Sequence, residues 1–156
     1  MADESLEQRA LRRRTLGWSF ACPLTPDGDL GRDLVLAPGP AGLDLARVAD
    51  LDNLGQSLAI ALTTLAGSDI FNLAFGFEGL SAIAEETNPG MARERLRVAV
   101  VRVLQADPRV RRVSDVRLEG VFGVAPRPRE LRVRVDFETA SAEQQLIDLG
   151  SVVPNV

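Results

Sequence analysis

A change of period at one proline restricts the fold more than any other feature of this chain. In "MARERLRVAVVRVLQA" the apolar Leu96, Val100, Val103 and Leu104 recur at helical spacing, while Arg93, Arg95, Arg97 and Arg102 lie outside that stripe. Pro108 ends the helix because it has no N–H to donate, and it biases Asp107 toward an extended backbone. Past it the period drops to two. Val116 and Leu118 alternate with Asp115, Arg117 and Glu119; Leu131, Val133, Val135 and Phe137 alternate with Arg132, Arg134, Asp136 and Glu138. A helix therefore runs into a hairpin joined by "GVAPRPRE". A lone hairpin is marginal, so helices must cover it or another strand must join it.

An earlier helix begins near Asn53, with Leu54, Leu58, Ala61, Leu62 and Leu65 on one face and Gly67 as its stop; Asn53 and Gln56 have the spacing of a capping box. "IFNLAFGFEGL" follows, and the clustering of Phe71, Phe75 and Phe77 in a chain with only 4% aromatic residues predicts core packing. A short helix near Glu78 to Glu86 leads to Asn88 as a cap and Pro89 at the first helical position. Residues 1–50 show no sustained period, although "RALRRRTL" fits a short amphipathic helix and "PDGD" a turn. The expected fold is α+β: two to three helices packed on a small antiparallel β-sheet or hairpin. It comprises an extended N-terminal segment at 1–50, the α+β domain at 51–140, and a C-terminal tail at 141–156 holding the short apolar pieces "LIDLG" and "VVP".

Composition removes several kinds of chemistry. The chain has no histidine and a single cysteine, Cys22, so Ser-His and Cys-His nucleophile pairs, an internal disulfide and cysteine metal clusters are all excluded. An enzyme built from this alphabet would work with carboxylates or serines alone. No apolar run reaches the roughly 18 to 20 residues of a membrane span, and "MADESLEQRA" lacks the apolar core of a signal peptide, so folding in the cytosol and no membrane insertion are expected. All of the basic residues are arginine. The net charge of −4 divides into −7 over residues 1–92, +7 over 93–134 and −4 over 135–156. Such polarity suits either internal pairing of the halves or neighbours with complementary faces.

One triplet resists explanation by stability. A helix C-terminus prefers a cation by ~0.3 to 1 kcal/mol, yet "VLQADPRV" ends on the acid Asp107. The order "NLGQSLAIALTTLAG", "FNLAFGFEGL", an arginine-bearing helix ending in "ADPRV", then "VSDVRLEG" and "LRVRVDF" resembles the baseplate sheath-initiator family of contractile tails. That family was once described as lysozyme-like baseplate proteins, and it is found in contractile phages, tailocins, type VI secretion machines and related injection particles. The likeness covers roughly residues 50–138 and rests on order and spacing. The family's Glu-Pro-Arg looks like Asp107-Pro108-Arg109 here, one methylene shorter, and Gly67-Ser68-Asp69 stands where Gly-Glu is common.

The resemblance implies a structural, non-enzymatic protein without a cofactor, in a six-fold arrangement of copies in each baseplate. It would occupy the cytoplasm during assembly and then the baseplate of a phage tail or injection particle. Asp107, Pro108 and Arg109 would dock on the wedge proteins, with an acceptor and a five-donor fork pointing outward. Strand addition would attach the first sheath protein ring. The hairpin is the expected edge, Leu146, Ile147 and Leu149 the candidate donated strand, and Arg117, Arg132 and Arg134 the match for acidic sheath arms; inner tube or hub proteins are further partners. Two other classes compete. A small Arg-rich nucleic-acid-binding module would need an exposed basic face, against a net acidic chain. A carboxylate-only glycoside hydrolase would need two acids across a cleft, which the adjacent Glu85 and Glu86 do not provide.

Overall fold

In a computed structural model of the chain, residues 6–23, 32–79, 85–119 and 131–152 are described. The elements are α1 (Leu6–Leu16), β1 (Trp18–Phe20), β2 (Leu36–Gly39), β3 (Gly42–Leu45), β4 (Arg47–Ala49), α2 (Asp50–Thr63), α3 (Pro89–Ala106), β5 (Val110–Glu119), β6 (Leu131–Thr139) and β7 (Gln144–Val152). The fold is α+β. The chain divides into two compact units, Met1–Ser57 and Leu58–Val156, and the boundary falls inside α2. The expected "PDGD" turn, most of the short helix after Glu78 and the "GVAPRPRE" loop lie outside the described residues.

The first unit has more regular structure than its irregular sequence suggests. β1 pairs antiparallel with β4, Trp18 opposite Ala49 and Phe20 opposite Arg47. β2 and β3 form a hairpin through "APGPAG", with Gly39 opposite Gly42, so that stretch is a tight ribbon and not extended chain. The capping box expected at Asn53 and Gln56 is absent, because α2 already begins at Asp50. Both side chains instead reach across the unit. Buried Asn53 donates from Nδ2 to the Leu16 carbonyl at 2.8 Å. Gln56 accepts from the Cys22 N–H at 2.7 Å and donates to the Phe20 carbonyl at 2.8 Å and to Ser19 Oγ at 3.2 Å. Polar residues in the first two turns of a helix thus serve here as tertiary clamps.

In the second unit the helix start follows the sequence. Asn88 has extended backbone angles, and its side chain accepts from the N–H groups of Gly90 and Met91, with Pro89 in the first turn. The buried stripe of α3 is Ala92, Leu96, Val100 and Leu104, while Val103 is only half-buried. That stripe lies along β5, and the Arg93 guanidinium donates to the Leu118 carbonyl. The sheet has the order β5-β6-β7, all antiparallel. Its inner face carries Val116, Leu118, Val133, Val135, Phe137 and Leu149, all buried. Each such side chain contributes roughly 1.5 to 3 kcal/mol when fully removed from water, which explains why alternation was a dependable guide here.

The third strand corrects the expected tail. Residues from Gln144 to Val152 pair with β6 of their own chain, Val135 opposite Ile147 and Phe137 opposite Gln145. β6 is hydrogen-bonded on both sides, so of the predicted hairpin only β5 is an edge, and β7 is the other.

Candidate functional site

The turn after α3 is closed on itself. Asp107 caps the helix with φ −84° and ψ 119°, the extended conformation that Pro108 demands, and its N–H still reaches the Leu104 carbonyl. One carboxylate oxygen, Oδ1, accepts from the Arg109 backbone N–H and from Arg109 Nε, each at 2.9 Å. The other, Oδ2, accepts from Arg109 Nη2 at 2.6 Å. This is a bidentate pair, the strongest geometry available to the two groups, and both side chains are largely buried. Burial would raise the Asp107 pKa, but the hydrogen bonds and charge of Arg109 outweigh it and hold the carboxyl below its usual range. The acid at the helix end thus carries its own cation. The two groups do not point outward as separate contacts, which corrects the expected geometry.

Arg117, Arg132 and Arg134 share the outer sheet face, and the register makes that face a charge lattice. Arg117 stands opposite Arg134, and Asp115 opposite Asp136. Like charges directly opposite destabilise a sheet. The side chains escape by pairing along and across the strands: Arg117 with Asp115 at 2.9 Å, Arg134 with Glu119 at 3.0 Å and with Asp148 at 3.4 Å, and Arg132 with Asp148 at 3.9 Å. An acidic partner arm would have to displace these acids. Of the tail residues, Leu146 is 66% exposed on the outer face, Leu149 is buried, and Ile147 is half-buried opposite Val135.

Sequence reasoning missed the most exposed apolar feature of the second unit. Of the three phenylalanines expected in the core, only Phe77 is buried; Phe75 is half-buried, and Phe71 is 94% exposed, flanked by Ile70 and Leu73 at 77% and 68%. The loop that carries them is tightly built. Leu65 and Phe77 form a parallel bridge, and the Phe77 N–H donates to the Thr64 carbonyl at 2.8 Å. Inside, Ser68 donates to the Leu65 carbonyl, Asn72 to that of Asp69 and Phe75 to that of Asn72. Asp69 Oδ1 accepts from the Phe71 N–H at 2.9 Å. Gly76 has φ +111°, and a Cβ there would come within 2.8 Å of backbone atoms of Thr64 and Ala66. The turn formers Asp69 and Asn72 between two glycines were the available signal for such a loop.

A cavity of about 710 Å³ beside the base of this loop is lined by Leu65, Val98 and Ala99, with Glu78, Glu85, Glu94, Arg95 and Arg102 around them. Glu86 is paired with Arg95 at 3.4 Å. Among the described residues no cluster of His, Cys, Asp and Glu fits a metal ion, and no helix is long and apolar enough to cross a membrane. No protein-family model and no curated protein matches the chain.

Proposed function

We propose that this chain is a structural component of the baseplate of a contractile tail or injection system, which docks on the wedge and initiates sheath polymerisation by strand addition. The observation that carries the reading is the sequence of elements after Asn88: a capped helix, a closed Asp-Pro-Arg turn, and a small antiparallel sheet with two outer edges. The order of helix, Asp-Pro-Arg and antiparallel strands supports the reading, while the closed turn and the third strand modify what the resemblance implies.

The two edges differ in a way that selects one. β5 has two register shifts and the charged residues Arg111, Arg112, Asp115, Arg117 and Glu119, all devices that protect an edge from pairing. β7 has one register shift, no proline or lysine, a single acid and an exposed Leu146. The sheath strand therefore adds to β7. Leu146, Ile147 and Leu149 then act as acceptor residues and not as a donated strand, since their strand already completes this chain's own sheet. Asp107 and Arg109 present the wedge with a neutralised, internally paired turn.

The nucleic-acid reading gains no observation in its favour; the hydrolase reading has Glu78, Glu85 and Glu94 around one cavity, which Arg95 and Arg102 also line. Phosphates would compete with the carboxylates that already hold Arg117, Arg132 and Arg134, and Glu86 is engaged with Arg95. The test is affinity capture of the tagged full chain from cells that express its neighbouring genes, with mass spectrometry of what co-purifies. Recovery of sheath, tube and wedge proteins is expected. Recovery of nucleic acid, or of no partner, rejects the proposal.

A further inference from the structure

We infer that the loop from Thr64 to Phe77 is a preformed apolar anchor that seats Phe71 in an apolar groove with a basic rim on the wedge protein; this rests on the baseplate reading above. Three features together support it. First, the loop's conformation is set before any partner arrives. Its base is closed by the Leu65–Phe77 bridge, and its interior by the turns at Asp69 and Asn72. Binding then orders little new backbone, which favours affinity. Second, the side chains that such an arrangement would be expected to bury are outside: Ile70, Phe71 and Leu73 are 77%, 94% and 68% exposed. A large aromatic at the tip of a rigid loop is the kind of residue that carries binding energy at the centre of an interface.

The third feature is charge, and it selects the occupant. Every ionisable residue of the second unit from Leu58 to Glu86 is an acid: Asp69, Glu78, Glu85 and Glu86. Asp69 sits in the loop and Glu78 follows it. Even the cavity at its base sets Glu78, Glu85 and Glu94 against Arg95 and Arg102, with Arg95 already paired to Glu86. A net acidic rim is repelled by anionic lipid headgroups and by nucleic acid phosphates. It complements a protein groove flanked by arginine or lysine. Several of the loop's backbone groups are also spent on its own turns, so it attaches by side chains, unlike the strand edge at β7.

The experiment is calorimetric titration of the purified wedge protein encoded with this chain into the full chain, at two salt concentrations. Phe71→Ser and Ile70→Ser are compared with Leu36→Ser, a matched exposed apolar residue of the first unit that is 59% exposed. Phe71→Ser is expected to weaken binding by roughly tenfold or more and Leu36→Ser to leave it unchanged. Wild-type affinity is expected to fall as salt rises. The exposure of Phe71 separates binding from folding, and an unchanged melting temperature checks this. Wild-type affinity retained in Phe71→Ser overturns the anchor and leaves the baseplate reading standing; no wild-type binding overturns both. Self-association lost in Phe71→Ser, or binding of the wild type to phosphatidylglycerol vesicles, assigns the loop to another occupant and likewise overturns the proposal.

Discussion

The loop at Thr64–Phe77 holds apolar side chains out in solvent, whereas the turn at Asp107–Arg109 folds its two charges onto each other. The sequence placed the aromatics inside, and the family resemblance implied an acid and a base pointing outward. The difference shows what decides exposure in short connections. In the loop, Asp69 and Asn72 satisfy backbone groups first, Gly76 supplies the left-handed φ, and the side chains go where the resulting turns send them. In the turn, one proline sets Asp107 in an extended conformation, from which its carboxylate reaches the N–H and guanidinium two residues on. Backbone demand is met before side-chain preference in each case.

The contrast breaks most directly at the closing end of the loop. Phe77 is fully buried, so Phe77→Ala is expected to destabilise the fold by ~3 to 5 kcal/mol in denaturant titration. A loss under about 1 kcal/mol would mean the loop base is not part of the core. Gly76→Ala comes next, with a loss of more than about 1 kcal/mol, because a left-handed φ and three close backbone atoms of Thr64 and Ala66 all oppose a Cβ. A melting temperature equal to wild type would show that the loop relaxes and is not preformed.

Asp107→Asn sharpens the other side of the comparison. Asparagine keeps an acceptor for the Arg109 N–H and loses the ion pair, so a loss of about 0.5 to 1 kcal/mol is expected at neutral pH. The sign with pH follows from the lowered carboxyl pKa. The stability Asp107 contributes is fully present above the ordinary carboxylate value of about 4 and is lost as pH falls through the lower folded value. Wild type and Asp107→Asn should therefore converge in stability at acidic pH. A constant gap down to about pH 2 would assign the effect to shape and not to charge. The smallest effect belongs to Phe71→Ala, within about 0.5 kcal/mol of wild type, since its ring is already in water.

Legibility followed the strength of the period. The α3 stripe, the Asn88 cap and the alternation of β5 and β6 were readable because burial acts on many residues at once. β7 was not, since "QQLIDLGSV" alternates only weakly and its partner strand decides its state. The β2–β3 hairpin was hidden by four short residues of ribbon on each side, too few for a pattern. The site fared worse for a physical reason. Asp107, Pro108 and Arg109 were found where expected, but which of their atoms remain available depends on side-chain angles that no spacing encodes. The exposure of Phe71 depends on turns formed by its neighbours.

The clamp at Gln56 has a geometric meaning beyond holding a helix. Its primary amide accepts from the N–H of Cys22 and donates to the carbonyl of Phe20, two residues apart. This is the bonding pattern that one residue of a neighbouring parallel strand would present. On its other side the same stretch is held by Ala21 donating to the Ala46 carbonyl. A single side chain therefore stands in for a missing strand, and the backbone from Phe20 to Cys22 offers no open rung at which a stray peptide, or another ribbon in a crowded cell, can begin to zip.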